Sequence, residues 1–562
     1  MAAVKGYLAE ILKRKHASIK ENISEIEERL GKLAKPMDEL QPLADLELDE
    51  LRQKLQENEI TVPDLLHAFQ AKAVKLYHEG NSGICEFIKE AEVQANDLAK
   101  SWDSRDDKAP LCGIPISIKE LCSCEGYDST FGLIKLCEKP AKHDAILVKA
   151  LKAEGAIPFV LTACSQLAFS MSGDNIIFGN MHSPHSVEYA QGGSSAGEAV
   201  LLAKHGSPVG IGSDLAGSIR IPSALCGLSG LKPCSERISM KGQADLAKDM
   251  LVALKICLGP MGRKVDHLAQ VMRTLLRPSM FQLDVTIPPI PFREDVYSGQ
   301  SKPVLKIGYY SRFSDSLLIK PVPAVQKAVE RAITILKSKG HEIVEFDPPS
   351  PRHALEISLQ CLTGDGGKLC LDATRDEPLC DQCKGIQMLV RVPDALRGAV
   401  DAITRHRIGE PASMAKMVTR SRTAESTIKL INKVDEYRDK FHEAWEKVGD
   451  MDAIVCPVWA YPAIPNKIPV WYVSPPIIFT VLYNLVDYPA GSVPMGAVSE
   501  QDVKDALEEA EKFKKANDLY HQKLFEMQKG TEELPVAVQV VGKPFQEEVV
   551  LRVMREIEEG SN

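Results

Sequence analysis

In Gly113-Ile-Pro-Ile-Ser-Ile-Lys119-Glu, an alternation of period two sends Ile114, Ile116 and Ile118 to one face of a strand and Pro115, Ser117 and Lys119 to the other. With both faces covered, Lys119 is a buried amine. Desolvation penalises its ammonium form, so the neutral base becomes accessible near pH 7. A second segment, Gln191-Gly-Gly-Ser194-Ser195-Ala-Gly-Glu, crowds small residues and hydroxyls directly before the helical run that begins at Glu198. Its amides can face inward as a nest for anions. The third, Gly210-Ile-Gly-Ser-Asp214-Leu-Ala-Gly-Ser218-Ile-Arg220-Ile-Pro, breaks from a small-residue strand into a loop ending in serine. There the amides of Leu215, Ala216, Gly217 and Ser218 can converge on an oxygen that gains charge. A base, hydroxyls and amide donors are the parts of nucleophilic serine chemistry.

Each segment alone has a plainer reading: a lysine exposed at a strand end, a glycine-rich turn, a tight turn capped by serine. A phosphate loop is excluded for the second segment, because no Gly-Lys-Ser/Thr follows at the required spacing. Gly193-Ser-Ser195-Ala-Gly197 also fits GxSxG, the elbow that would make Ser195 the nucleophile of an α/β-hydrolase-type esterase. That motif needs a strand immediately before it, and Met181-His-Ser-Pro-His-Ser-Val-Glu-Tyr-Ala-Gln is not strand-like. Its candidate histidines, His341, His353, His442 and His521, lie in charged, helix-like or turn-like surroundings.

The elements that must position these residues follow from periodicity. Residues 1–104 read as an N-terminal helical extension packing on the main body: Ile23, Ile26, Leu30 and Leu33 recur at steps of three and four, and Thr61-Val-Pro-Asp is a helix start with proline in the first turn. From about 105 short apolar runs alternate with helical periods, which predicts an α/β fold with a largely parallel or mixed sheet covered by helices. Within 386–450 the pattern is helical again, with Leu389, Val392, Leu396, Val400 and Ile403 on one face and Arg391, Arg397, Arg405 and Arg407 on others. Such a stripe suits either a solvated surface or a membrane surface. Residues 468–486 carry no formal charge, but Pro469, Pro475 and Pro476 forbid a lipid-exposed helix there, so the stretch reads as a buried crossing of the core.

Composition narrows the classes further. The 562 residues, 44% hydrophobic and 26% charged, are those of an ordinary globular protein larger than one small core. A formal net charge of −9 argues against a broad nucleic-acid footprint. The 14 cysteines are scattered, and Met1-Ala-Ala-Val-Lys-Gly lacks the apolar run of a secretory signal, which predicts a reducing intracellular setting. The CxxC from Cys380 to Cys383 has no second pair at zinc spacing and reads as free thiols, so no metal and no cofactor are expected.

Taken together, the lysine strand, the Gly-Gly-Ser-Ser-Ala-Gly-Glu turn and the run from Asp214 to Pro233 resemble the amidase signature family in residue types, order and separation. The stretches 481–494 and 534–548 are similar to the C-terminal blocks of those members that cleave fatty acid amides. The resemblance implies a single large domain, 105–562, with a twisted mixed β-sheet core covered on both faces by α-helices. It implies a serine hydrolase that cleaves N-acylethanolamines and primary fatty amides through an acyl-enzyme, with Lys119 as base and acid, Ser194 as proton bridge after a cis peptide, and Ser218 as nucleophile. Leu215, Ala216, Gly217 and Ser218 would form the oxyanion hole, Ser195 would support the lysine, and Asp214 and Arg220 would frame the loop. The acyl chain would lie near Phe169, with 386–417 as amphipathic cap helices and peripheral membrane contact. A homodimer, an intracellular location in the cytoplasm or on endomembranes, and no transmembrane helix complete the expectation. Alternatives within the family are hydrolysis of small or aromatic amides, or a transamidating subunit, against which the acidic charge counts. Departures from the family pattern are Ala196 and Ala216 where glycine is common, and Cys234 where threonine is usual.

Overall fold

The computed structural model describes every residue except 1, 104–107, 245, 247–250, 419–422, 467 and 562, together with all side chains but those of residues 1–5 and of the other residues just named. The boundary drawn between 104 and 105 therefore lies outside the described residues. In chain order the strands are β1 (Ile84–Phe87), β2 (Pro115–Lys119), β3 (Ile157–Thr162), β4 (Tyr189–Ala190), β5 (Val209–Asp214), β6 (Ser229–Lys232), β7 (Cys257–Gly262), β8 (Lys306–Tyr309), β9 (Glu342–Glu345), β10 (Ala453–Pro457), β11 (Ile464–Pro465), β12 (Ala490–Ala497) and β13 (Pro535–Gly542). β4 and β11 pair with each other, and the other strands form one 11-stranded sheet in the order β1-β3-β2-β5-β7-β6-β12-β13-β10-β8-β9.

The sheet is mixed, as the alternation of runs and helices predicts. β2 is parallel to β3 and β5, and β8 is parallel to β9 and β10, whereas the remaining neighbours are antiparallel. Every residue of β2, β3, β5 and β13 is buried, so both alternations of these strands, and both faces of the sheet, are covered. Their sequences are accordingly near-continuous in small and apolar residues. The helices Val265–Leu275, Pro323–Ser338 and Glu547–Ser561, and the shorter Ala196–Ala203 and Arg220–Leu225, supply that cover.

One strand departs from the reading of 1–104 as helical. Ile84–Phe87 pairs antiparallel with β3 and forms the edge of the sheet. Four residues are too few for an alternation to register against the surrounding helices. The open edge of β1 is closed by the first helix, Ala2–Leu30: the Asn22 side chain donates to Phe87 O at 3.0 Å and accepts from Phe87 N–H at 2.8 Å, continuing the ladder as a strand would. Beside it the buried Lys15 ammonium bonds Glu86 at 2.6 Å and Asp128 at 2.8 Å. The helix start at Thr61 is a capping box with Asp64, leading Val62–His78.

Residues 478–485 of the uncharged stretch form the buried helix Ile478–Leu485, whereas the first part of that stretch is not a buried crossing: Pro469 and Trp471 are exposed and residues 468, 470 and 472 only half-buried. Among the described residues no helix is long and apolar enough to cross a membrane. The stripe within 386–417 lies on the helices Asp381–Arg391 and Asp394–Arg407, where Met388, Leu396 and Ile403 are exposed while Arg397 and Asp401 are buried.

The segment leading into β1 also meets the glycine-rich turn. Gly197 N–H donates to Ala163 O at 2.9 Å, and Ala163 N–H donates to Gly83 O at 2.8 Å. A Cβ on Gly197 would stand 2.7 Å from both Ala163 N and Ala163 O, backbone atoms with little room to move. Gly197→Ala should therefore destabilise the fold by about 1–3 kcal/mol, seen as a lower urea midpoint than wild type at equal slope.

Candidate active site

Lys119 ends β2 at the centre of the parallel region, opposite Thr162 of β3 and beside β5. Its side chain is wholly buried. The amine lies 2.9 Å from Ser194 Oγ, 3.0 Å from Ser195 Oγ and 2.9 Å from Ser213 Oγ. Burial pulls its pKa down to about 8, against the opposing pull of Cys164 and the carboxylates of Asp214, Glu120 and Glu198. Among the described residues none of those carboxylates forms an ion pair with it, and the hydrogen-bond partners of the nitrogen are these three hydroxyls.

Three hydroxyls around one nitrogen suit both protonation states. An ammonium donates to all three, and a neutral amine donates to two and accepts from the third. Ser195 Oγ is already fixed, giving its hydrogen to Ser213 O at 3.3 Å and taking one from Ser213 N–H at 3.3 Å. It therefore meets the lysine as an acceptor. Among the described residues the Ser194 hydroxyl has no partner besides Lys119, so it is the group free to hand a proton to the amine.

Ser194 follows a cis Gly193–Ser194 peptide, and its neighbour Ser195 N–H donates to Ser218 O at 3.1 Å, which joins the two serine loops. The hydroxyls of Ser194 and Ser218 open into one cavity but, among the described residues, share no hydrogen bond. The loop leading to Ser218 is held from behind. Asp214 accepts from Gly217 N–H at 2.8 Å, Ile219 N–H at 3.1 Å, Arg220 at 2.9 and 3.0 Å and Asn484 at 3.0 Å. Although burial alone would raise it, Arg220 beside it holds the carboxyl well below its usual range. Arg220 in turn reaches Thr480 O, Asn484 Oδ1 and Gln539 Oε1 at 3.0, 2.7 and 2.7 Å.

This bonding revises the expected donor set. The Gly217 amide is committed to Asp214, whereas the amides of Leu215, Ala216 and Ser218 meet no acceptor among the described residues. Gly217 serves the turn by its φ of 117° and by lacking a Cβ, which would lie 2.5 Å from Thr480 Oγ1. Ala196 and Ala216 keep negative φ, so their extra methyl groups impose no backbone strain. Cys234 accepts from Phe545 N–H at 3.1 Å and donates to Asp487 O at 3.4 Å.

Sequence reasoning missed several members. Ser213 carries no signal of its own within the Gly210–Pro222 run, and Glu198 has in sequence only the mark of a helix start. The Glu198 carboxyl is fully buried, takes hydrogen bonds from Ser117 and Thr162, and is pushed by burial up to about 7. Asn484, Thr480 and Gln539 come from distant segments. A polar residue inside a run as apolar as Ile478–Leu485 is the signal that marks Asn484.

The cavity in front of the serines has a volume of about 670 Å³, within the ordinary range of small-molecule sites. Leu121, Phe131, Leu167, Phe169, Leu251 and Leu369 are among its apolar walls, while Lys241, Lys255, Glu236 and Asp284 give it one charged side. Phe169, beside which the resemblance would place an acyl chain, is one of these walls. No residue of 386–417 lines the cavity, whose wall comes instead from Leu369, Cys370 and Ala373 just before.

The family model described as Amidase matches residues 64–551. The chain is 34% identical over 556 residues to a fatty-acid amide hydrolase 1 of Sus scrofa, covering 99% of this chain and 92% of the relative. It is 32% identical over 520 residues to a fatty acid amide hydrolase 1 of Caenorhabditis elegans, covering 92% and 88%. A solved structure named fatty acid amide hydrolase superposes with a TM-score of 0.79 at 22% identity, covering 100% of this chain and 96% of the other, which establishes the common fold.

Burial of Lys119 has a pH signature. With a folded pKa of about 8 and an unfolded one of about 10.4, the unfolded chain binds more protons within that window, so stability due to this group rises with pH there and is lost as pH falls through the folded value. The unfolding free energy of wild type minus that of Lys119→Met should be flat below pH 7 and grow by about 3 kcal/mol as the pH approaches 10.5. Urea titrations at fixed pH read this difference, and a flat difference throughout would mean a solvated amine.

Proposed function

The chain belongs to the amidase family and hydrolyses amides, and from that premise we propose that it cleaves fatty acid amides, including N-acylethanolamines and primary fatty amides, through Lys119, Ser194, Ser218 and an acyl-enzyme. The observation that carries this reading is the buried, readily neutralised amine 2.9 Å from Ser194 Oγ, set behind an apolar cavity that Ser218 also faces.

A serine hydroxyl does not ionise unaided near neutral pH, so its proton must leave as the carbonyl is attacked. Ser218 gives that proton to Ser194 while Ser194 gives its own to neutral Lys119. The two serine hydroxyls come into contact for this step as substrate seats Ser218, a tightening common between free and bound sites. The amides of Leu215, Ala216 and Ser218 receive the oxyanion, and such donors contribute about 3 kcal/mol each where one has been removed. The lysine proton then returns through Ser194 to the amine nitrogen, without which an amine leaves poorly. Water enters, the relay runs again, and the acyl group departs as acid.

The lipid preference rests on the apolar walls and on the relatives at 34 and 32% identity. Exposed Met388, Leu396 and Ile403 beside exposed Arg391, Arg405 and Arg407 support a peripheral membrane contact for the cap helices.

Wild type should hydrolyse oleamide, and Ser218→Ala and Lys119→Ala should each lower kcat/KM by at least about 10³-fold. A fluorophosphonate should label Ser218, mapped by peptide mass. A label on Ser195, or a wild type inert toward every acyl amide, would overturn the reading. Since the base must be neutral, kcat/KM should climb with pH and level off above an apparent pKa near 8.

A further inference from the structure

The loop from Leu215 to Ser218 is made of three successive peptide units, and two of them are pinned by their carbonyl oxygens. Gly217 O accepts from Ile221 N–H at 2.8 Å, and Ala216 O accepts from the Thr480 hydroxyl at 2.6 Å. In a trans peptide the N–H points opposite to the C=O. Holding Gly217 O from one side therefore turns the Ser218 amide to the other. In the middle unit both ends are tied, since Gly217 N–H donates to Asp214 at 2.8 Å.

That middle unit is the one its own backbone fixes least. It ends on Gly217, at a φ of 117°, where no Cβ restrains rotation. Turning it over would release the Gly217 amide and reverse the direction of Ala216 O. A carbonyl oxygen turned toward a developing oxyanion repels it, whereas an amide attracts it. The orientation is thus decided from outside the unit, by Asp214 at one end and Thr480 at the other. Leu215 and Ser218 line the cavity, and Ala216 between them does not.

Thr480 is wholly buried on the helix Ile478–Leu485, one turn before Asn484. Its hydroxyl has one hydrogen and two carbonyls in reach, Ala216 O at 2.6 Å and Ile477 O at 3.1 Å. Two oxygens 2.6 Å apart need a hydrogen between them, and a carbonyl has none to give, so the hydroxyl donates to Ala216 O. The Thr480 main-chain oxygen separately accepts from Arg220 at 3.0 Å. A change of side chain therefore removes the contact with Ala216 O and leaves the one with Arg220.

We propose that Thr480 is a positioning residue of amide cleavage, whose hydroxyl keeps the Ala216 carbonyl turned from the substrate oxygen and so leaves that oxygen to the amides of the loop. The inference rests on the reading of Ser218 as nucleophile. As the bond from Ser218 Oγ to the substrate carbon forms and the carbonyl electron pair moves onto oxygen, the loop already has the arrangement that receives the charge. Without the hydroxyl the peptide must be ordered at that moment, so the loss falls on the transition state and not on substrate binding.

The test compares full-length wild type with Thr480→Val, Thr480→Ala and Thr480→Ser on whichever amide the wild type turns over. Competent sites are counted from the end point of fluorophosphonate labelling, so that a variant that folds poorly is not mistaken for a slow one. Per competent site, Thr480→Val and Thr480→Ala should lose roughly ten- to a hundredfold in kcat with KM little changed. Thr480→Ser keeps the hydroxyl and should stay within about threefold of wild type. The pH at which kcat/KM levels off should be that of wild type throughout, since the base is untouched. A second measurement uses a long-chain trifluoromethyl ketone, to which the nucleophile adds to leave an oxyanion, and the matching methyl ketone, which binds without adding. Thr480→Val should weaken inhibition by the first in proportion to its loss of kcat, and by the second hardly at all. Equal weakening of both, a poor Thr480→Ser, or a Thr480→Val as fast as wild type would overturn the inference. The peptide that carries the fluorophosphonate tests the underlying reading separately: a label away from Ser218 overturns that reading, and this inference with it.

Discussion

The structure is organised around the cost of holding one amine away from water. A buried ammonium whose hydrogen-bond partners among the described residues are three hydroxyls is poorly stabilised, and the chain relieves that by making the neutral form accessible instead of supplying a counterion. The acids of the region stay at a distance that moderates the effect without cancelling it. Glu198 and Glu120 are themselves pushed toward protonation by burial, and Asp214 is turned toward Arg220. A carboxylate in direct contact would fix the charge on Lys119 and leave a poor base.

A second buried charge does the mechanical work. Asp214 and Arg220 are both wholly buried and satisfied on several sides, so the pair is less a source of net stability than a means of fixing geometry. It ties the Ser218 loop to Thr480, Asn484 and Gln539, and hence to β13 and the helix Ile478–Leu485. Residues hundreds of positions apart thereby determine which amides of the loop remain unpaired and available to a developing charge.

Much of this was legible in the sequence, because periodicity alone puts Ser117 and Lys119 on one strand face and the glycine-rich turn before a helix. The mixed sheet and the buried 478–485 stretch follow from run length and from proline placement. What escaped was set by partners distant along the chain. β1 is a strand because β3 and Asn22 complete its hydrogen bonds, which no pattern within four residues encodes. Gly217 looked like one more oxyanion donor because nothing local says that the Asp214 carboxylate folds back onto its amide. That the 386–417 helices do not line the cavity was not legible either, because amphipathicity reports a surface and not what that surface borders.

The closure of β1 by Asn22 makes the first hundred residues inseparable from the remainder. Removing them would strip β3 of its outer neighbour, expose a row of unsatisfied main-chain groups, and take away the carbonyl at Gly83 on which Ala163 rests beside the serine turn. A shortened version starting near residue 105 would thus be a sheet with a sticky margin and an unsupported reaction centre, prone to self-association rather than a minimal enzyme.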